Sequence, residues 1–215
     1  MTLNVPQLLA QIETVHAETA GWCPLSKAHE LAMAVVTLRP RVTVEIGVFG
    51  GRSFLPMAMA AEAVDCGSVM AIDPWSPKES AAGYSGVNAK WWSDLNHDKI
   101  YRDFANSVAA LGLTKRVEIQ RVKSDDAKVP EKIDLISIDG QHTDQAILDV
   151  ERFCPNVRVG GIVVADDLGW NNEGKLPIKR AVEQMLRMGF VELSRTRLDT
   201  GEEWGFFQRI KPKTK

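Results

Sequence analysis

The chain predicts a doubly wound α/β fold: a seven-stranded sheet of five parallel strands and a C-terminal antiparallel hairpin, with helices on both faces. Two observations carry this. Between residues 42 and 188, apolar runs of strand length alternate with amphipathic stretches, the grammar of a parallel sheet covered by helices. After residue 188 the alternation stops. Two runs rich in β-branched and aromatic residues, FVELSRTRL and EEWGFFQRI, then flank turn chemistry at Asp199–Gly201.

The elements follow in order. Residues 5–18 and 26–38 read as two leading helices, the second marked by Pro24 and Ser26, and residues 1–40 form an N-terminal helical cap on a single domain spanning 1–215. VTVEIG (42–47) is the first strand, and SFLPMAMAAEAV (53–64) the helix after it. SVMAID (68–73) is the second strand. Residues 74–96 show no clear period and many turn formers, which predicts a lid or binding loop. A helix over 98–111 leads to the strand RVEIQRV (116–122), and a turn or short helix near 125–130 to the strand at 133–139. Helix 143–154, strand 161–166 and helix 176–188 complete the alternation.

The bulk numbers exclude several classes. A chain of 215 residues suits one α/β domain, and 45% hydrophobic with 25% charged residues is a soluble composition. A net charge of −2 offers no electrostatic footprint for nucleic acid, and the one basic run, RIKPKTK, reads as a solvated tail. There is no apolar run of membrane-spanning length and no signal-peptide pattern at the N-terminus. Cys23, Cys66 and Cys154 are scattered, as core thiols in a reducing cytoplasm would be. A homo-oligomer is left open.

Ligands of doubly wound sheets sit beyond the C-terminal ends of the strands, and the chemistry collects there. The first strand ends in VEIGVFGGRS, where Gly47 and Gly51 permit a sharp turn and Ser53 opens a helix whose amides and hydroxyl can hold an anion. A plain strand-to-helix turn would also show such glycines. The spacing GxxxGxS differs from the GxGxxG of dinucleotide sites, however, and Glu45 precedes it on the strand. Asp73 ends the second strand, placed to accept from ribose hydroxyls. KSDD ends the third, placing Ser124 and Asp125 at a base edge. The ligand implied carries a carboxylate-type anion, a ribose and a base, without a clear demand for a diphosphate.

VEIGVFGGRS, AIDPW, KSDD, IDLISIDGQH and VRVGGIVVADD, taken in order over residues 42–167, resemble class I S-adenosylmethionine-dependent methyltransferases. GKLPIKRAVEQML and the hairpin extend the match, so the fold implied is the Rossmann-like sheet of that class. The chain looks most like the small metal-dependent O-methyltransferases, the catechol type and its antibiotic- and sugar-tailoring relatives. The resemblance implies that Glu45, Gly47, Gly51 and Ser53 line the methionine end of the cofactor, Asp73 binds ribose, and Ser124 and Asp125 flank adenine.

Asp139, Asp166 and Asp167 end two apolar strands. Three converging like charges need protonation or a cation, and a hard ion such as Mg²⁺ suits oxygen ligands. Each acid taken singly also reads as a strand-end or turn residue. In the catechol type, an acid after strand four and an acid–amide pair after strand five hold the metal. Asp139 and Asp166 match two of these, and Asp167 stands where the amide would be. His142, three residues past Asp139, takes the place of the catalytic lysine, and an imidazole is suited to general-base work at neutral pH. Trp75, next to the ribose acid and its proline, is the candidate for adenine contact. Trp22 and Trp170 are candidates for the rim, Trp204 reads as packing, and at least one of Trp91 and Trp92 as core. The expected activity is O-methylation of a hydroxylated small molecule. A cofactor-binding module without catalysis and a dinucleotide-dependent oxidoreductase are the alternatives.

Overall fold

The structure, a computed structural model, describes residues 3–172 and 174–212. Helices α1 (Val5–Glu18) and α2 (Leu25–Leu38) lead the chain. Asn4 caps α1 by accepting from the Gln7 amide at 3.1 Å, and α2 stops where Arg39 turns left-handed. Strand β1 (Val42–Ile46) follows, then α3 (Phe54–Ala63), β2 (Ser68–Ile72), two short helices α4 (Pro77–Ala81) and α5 (Gly86–Asp94), and α6 (His97–Ala110). The remaining elements are β3 (Val117–Gln120), β4 (Ile133–Ile138), α7 (Gln145–Phe153), β5 (Val157–Ala165), α8 (Pro177–Arg187), β6 (Phe190–Arg197) and β7 (Glu203–Arg209).

The strands form one sheet in the order β3-β2-β1-β4-β5-β7-β6, with β1 to β5 parallel and β7 antiparallel to both of its neighbours. Side chains alternate between the sheet's faces, so each face has its own core. Leu135 and Val164 pack with α1, α2, α3 and α6. Ile46, Ile136 and Val163 pack with α7 and α8. Large side chains such as Phe54, Phe104 and Trp204 are fully buried, each contributing about 2–3 kcal/mol from apolar area removed from water.

Two stretches differ from expectation. Residues 74–96 hold α4 and α5 instead of an open loop. Ser76 caps α4 and Pro77 presets its first turn, a signal too short to read as a period. Strand β5 begins at Val157, because Gly160, at φ +79°, lets the chain pass an irregular step against β4 that most residues could not make. Residues 125–130 form a turn without a helix. Among the described residues no helix is long and apolar enough to cross a membrane.

The register places the site. Ile46 pairs with Ile72 and with Ile138, and Ile138 pairs with Ala165. The next residue on each strand is therefore Gly47, Asp73, Asp139 or Asp166, one row along the sheet's C-terminal edge.

Candidate active site

A cavity of about 1090 Å³ opens over that row. Gly47, at φ +84°, makes the turn after β1. A Cβ there would lie 2.0 Å from the Asp139 carbonyl oxygen, so β1 and β4 can approach this closely only with glycine. Asp73 braces the turn: its carboxylate accepts from the backbone amides of Val48 at 3.0 Å, Phe49 at 2.9 Å and Trp75 at 2.7 Å. Burial raises the Asp73 pKa, and those three amides oppose the rise. A carboxylate has about four lone-pair sites, so one acceptor position remains toward the cavity that Asp73 lines.

Ser53, also on the cavity wall, precedes α3 but makes no capping bond to it. At the far end Ser124 and Asp125 are tied together by Gln145, whose amide donates to Ser124 Oγ at 3.3 Å, Asp125 Oδ1 at 3.0 Å and Asp149 Oδ1 at 3.0 Å. Asp149 lines the cavity with its Oδ2 unpartnered, and burial pushes its pKa up to about 6.

Between these ends lie Asp139, His142, Asp166 and Asp167. The His142 Nε2 is 3.4 Å from Asp167 Oδ2 and 3.8 Å from Asp139 Oδ1, and makes no hydrogen bond. Burial favours the neutral ring, but the Asp139 contact and the charges of Asp167, Asp139 and Asp166 outweigh it and raise the pKa. Asp167 holds a left-handed φ of +49°, a conformation that aspartate adopts more readily than most residues other than glycine. Asp166 is pushed up to about 7 by burial and by the Asp139 charge.

A lid closes over this centre. Gln141 donates to the Glu79 carbonyl of α4, and the His142 amide donates to the Tyr84 hydroxyl at 3.0 Å. At the mouth, Trp22 lies 5.0 Å from Phe49 and 5.2 Å from Trp91, so the N-terminal cap and α5 meet through aromatic rings.

A methyltransferase-domain family matches residues 44–168, from β1 through the acids after β5. The chain belongs to that family. No curated protein sequence matches it. Among solved structures, this methyltransferase is similar to the O-methyltransferase from Bacillus cereus in complex with S-adenosylhomocysteine, at 17% identity and a TM-score of 0.66, covering 95% of this chain and 91% of that one. It is similar also to the O-methyltransferase TomG from Streptomyces achromogenes, involved in tomaymycin synthesis and bound to S-adenosylmethionine, at 15% identity and a TM-score of 0.62, covering 95% and 90%. The S-adenosylhomocysteine-bound Podospora anserina methyltransferase PaMTH1 follows at 12% identity and a TM-score of 0.58, covering 96% and 88%. These likenesses show the fold.

Three expected ligand contacts stand elsewhere in the methyltransferase. Trp75 is 1% exposed and stacks on Phe104 at 5.4 Å, its indole N–H donating to the Phe49 carbonyl at 2.7 Å. Its bulk belongs to the core beneath the turn, so it does not line the cavity. Gly51 also faces inward, where a Cβ would meet the Phe104 ring at 2.7 Å. Glu45 lies behind the wall, fully buried beside Ser53 and Ser137, and burial raises it to about 8.

The three carboxylates expected to hold Mg²⁺ are not assembled as one ligand set. Asp139, His142 and Asp167 each bring one ligand atom within 4.8 Å of the others, and Asp166 stands outside that group. Asp166 instead accepts a hydrogen bond from Lys27 of α2, whose Nζ also lies 3.1 Å from Asp139 Oδ2. A site whose acid pair already holds an ammonium, and whose remaining donors include the imidazole, does not fit the all-oxygen coordination that Mg²⁺ prefers.

Lys27, Gln145 and Asp149 were missed in the sequence. Each sits on a helix, where apolar periodicity dominates the pattern, and two of them left a trace there. Lys27 interrupts the buried stripe of Ala28, Leu31, Ala32 and Val35, and Asp149 that of Ala146, Val150 and Phe153.

Proposed function

We propose that the methyltransferase transfers the methyl group of S-adenosylmethionine to a hydroxyl of a small molecule, with His142 as the general base. The observation that carries this reading is the His142 ring: an imidazole on the cavity wall, flanked by Asp139 and Asp167, with an unpartnered Nε2. The cofactor, when bound, supplies an electrophilic methyl group on a sulfonium. The chain does the rest. Gly47 and Ser53 give the methionine moiety room and polar contacts at the turn, Asp73 offers its remaining acceptor position to ribose, and the Gln145-linked Ser124, Asp125 and Asp149 present acceptors to adenine. His142 Nε2 takes the proton of the acceptor hydroxyl, and Asp139 and Asp167 stabilise the resulting imidazolium. The lid excludes water and fixes the acceptor.

Structural relatives crystallised with S-adenosylmethionine or S-adenosylhomocysteine, one of them acting in tomaymycin synthesis, support this reading. Membership of a methyltransferase family removes the ground for a dinucleotide oxidoreductase. Magnesium has no role in this reading, for the reason given by Lys27.

Calorimetric titration with S-adenosylmethionine, followed by transfer assays over phenol, catechol, sugar and amine acceptors, tests it. Micromolar binding with turnover on hydroxyl acceptors is expected. Binding with no turnover on any of them returns the chain to a cofactor-binding module. No binding overturns the assignment of the cavity.

A further inference from the structure

Lys27 has no part in the chemistry described so far, yet its side chain is wholly buried. It lies in the first turn of α2, where the helix macrodipole is positive and a lysine is disfavoured. No acidic residue of that turn compensates it. What holds the ammonium there lies outside the helix: Asp139 Oδ2 at 3.1 Å and Asp166 Oδ2, from the ends of two adjacent strands. Burying an unpaired ammonium would be costly, and so would burying two unpaired carboxylates; the geometry satisfies both at once. It also divides Asp139, whose Oδ2 faces Lys27 while its Oδ1 faces His142.

We propose, resting on the reading above, that Lys27 is the resident cation of this active site: its ammonium supplies the positive charge between Asp139 and Asp166 and positions Asp139 against His142. The N-terminal cap thereby becomes part of the catalytic centre, and the methyltransferase needs no metal ion. Lys27 is a positioning residue, acting through Asp139.

The test is uptake of Mn²⁺, followed by loss of the free-ion paramagnetic resonance signal, in the wild-type protein, in Lys27→Met and in Lys27→Met/Asp166→Asn. S-adenosylmethionine binding is measured calorimetrically on the same samples. The wild type should take up no Mn²⁺ saturably, and its melting temperature should not respond to Mn²⁺ or a chelator. Lys27→Met should gain a saturable site that the added Asp166→Asn removes, a gain that mere loss of packing would not produce. Saturable uptake by the wild type overturns the proposal, as does a folded Lys27→Met that takes up none. If Lys27→Met does not fold, the wild-type titration decides alone. Failure to bind S-adenosylmethionine would sink the functional reading, whereas metal uptake with cofactor binding intact would sink only the role of Lys27.

Discussion

At the scale of single residues the site is an arrangement of charges out of water. A general base must be neutral to accept a proton, and the acids around His142 hold its pKa above the ordinary 6.5. The turnover number should therefore climb with pH through a midpoint above the 6.5 of an unperturbed imidazole. In His142→Gln it should fall by at least about 100-fold near neutral pH, and the rising limb should vanish. A limb at or below 6.5 in the wild type would contradict the field of Asp139 and Asp167, and an unchanged limb in the variant would assign the base elsewhere. Residues of this kind were unevenly legible. Asp139, His142, Asp166 and Asp167 could be read because strand ends are where chemistry collects in such sheets, and a short apolar run marks its own end. The partner of Asp166 could not, since Lys27 lies 139 residues away and only the folded chain brings it there. Trp75 misled for a related reason. An aromatic beside a ribose acid can turn toward the ligand or under the turn, and the space against Phe104 and Tyr101 decided it.

At the scale of elements, α4 and α5 are joined to the site by few bonds. The Gln141 side chain reaches the Glu79 carbonyl, and Tyr84 receives the His142 amide. Neither short helix has a buried residue of its own, so these contacts carry much of the closure. Each such bond contributes about 1 kcal/mol, so losing both should favour the open lid by about 2 kcal/mol, roughly 30-fold in population. Combining Gln141→Ala with Tyr84→Phe should speed proteolytic cleavage within residues 77–94 and raise KM for the acceptor, with the melting temperature nearly unchanged. Cleavage at the wild-type rate would mean that the aromatic contacts of Trp22 with Phe49 and Trp91 hold the lid. The helices over 97–110 and 177–187 were legible because their periods run long enough to be counted, and the strands because their apolar runs end at turn chemistry, although the start of β5 was not. Helices α4 and α5 bury no residue of their own and so carry no apolar stripe to count, unlike α7.

Across the whole molecule, the two edges of the sheet do different work. The C-terminal edge carries the left-handed Phe49, Trp75 and Asp167, the unpartnered His142 Nε2 and Asp149 Oδ2, and the raised pKa values of Asp73, His142 and Asp166. The opposite edge is stapled. Asp134, near the start of β4, accepts from the backbone amides of Arg41 at 2.9 Å and Val42 at 3.0 Å and pairs with Arg158 of β5, joining three adjacent strands. Burial would raise its pKa, but Arg158 and those two amides overcome it, and the pKa lies below the ordinary 3.8. The sign follows from linkage: a carboxyl depressed in the folded state stabilises the protein at every pH above 3.8, and that contribution fades as pH falls through the lower folded value. Asp134→Asn should thus cost about 2 kcal/mol at neutral pH, the scale of hydrogen bonds to a buried charge. Urea unfolding of the two proteins from pH 7 downward measures this. The two stabilities should begin to approach each other below pH 3.8 and meet only below the lower folded value, with cofactor affinity unaffected at neutral pH because the staple lies at the far edge from Asp73. A constant difference across the range would mean that Asp134 acts by shape and not by charge, and an equal loss of cofactor affinity would mean that the two edges are mechanically one.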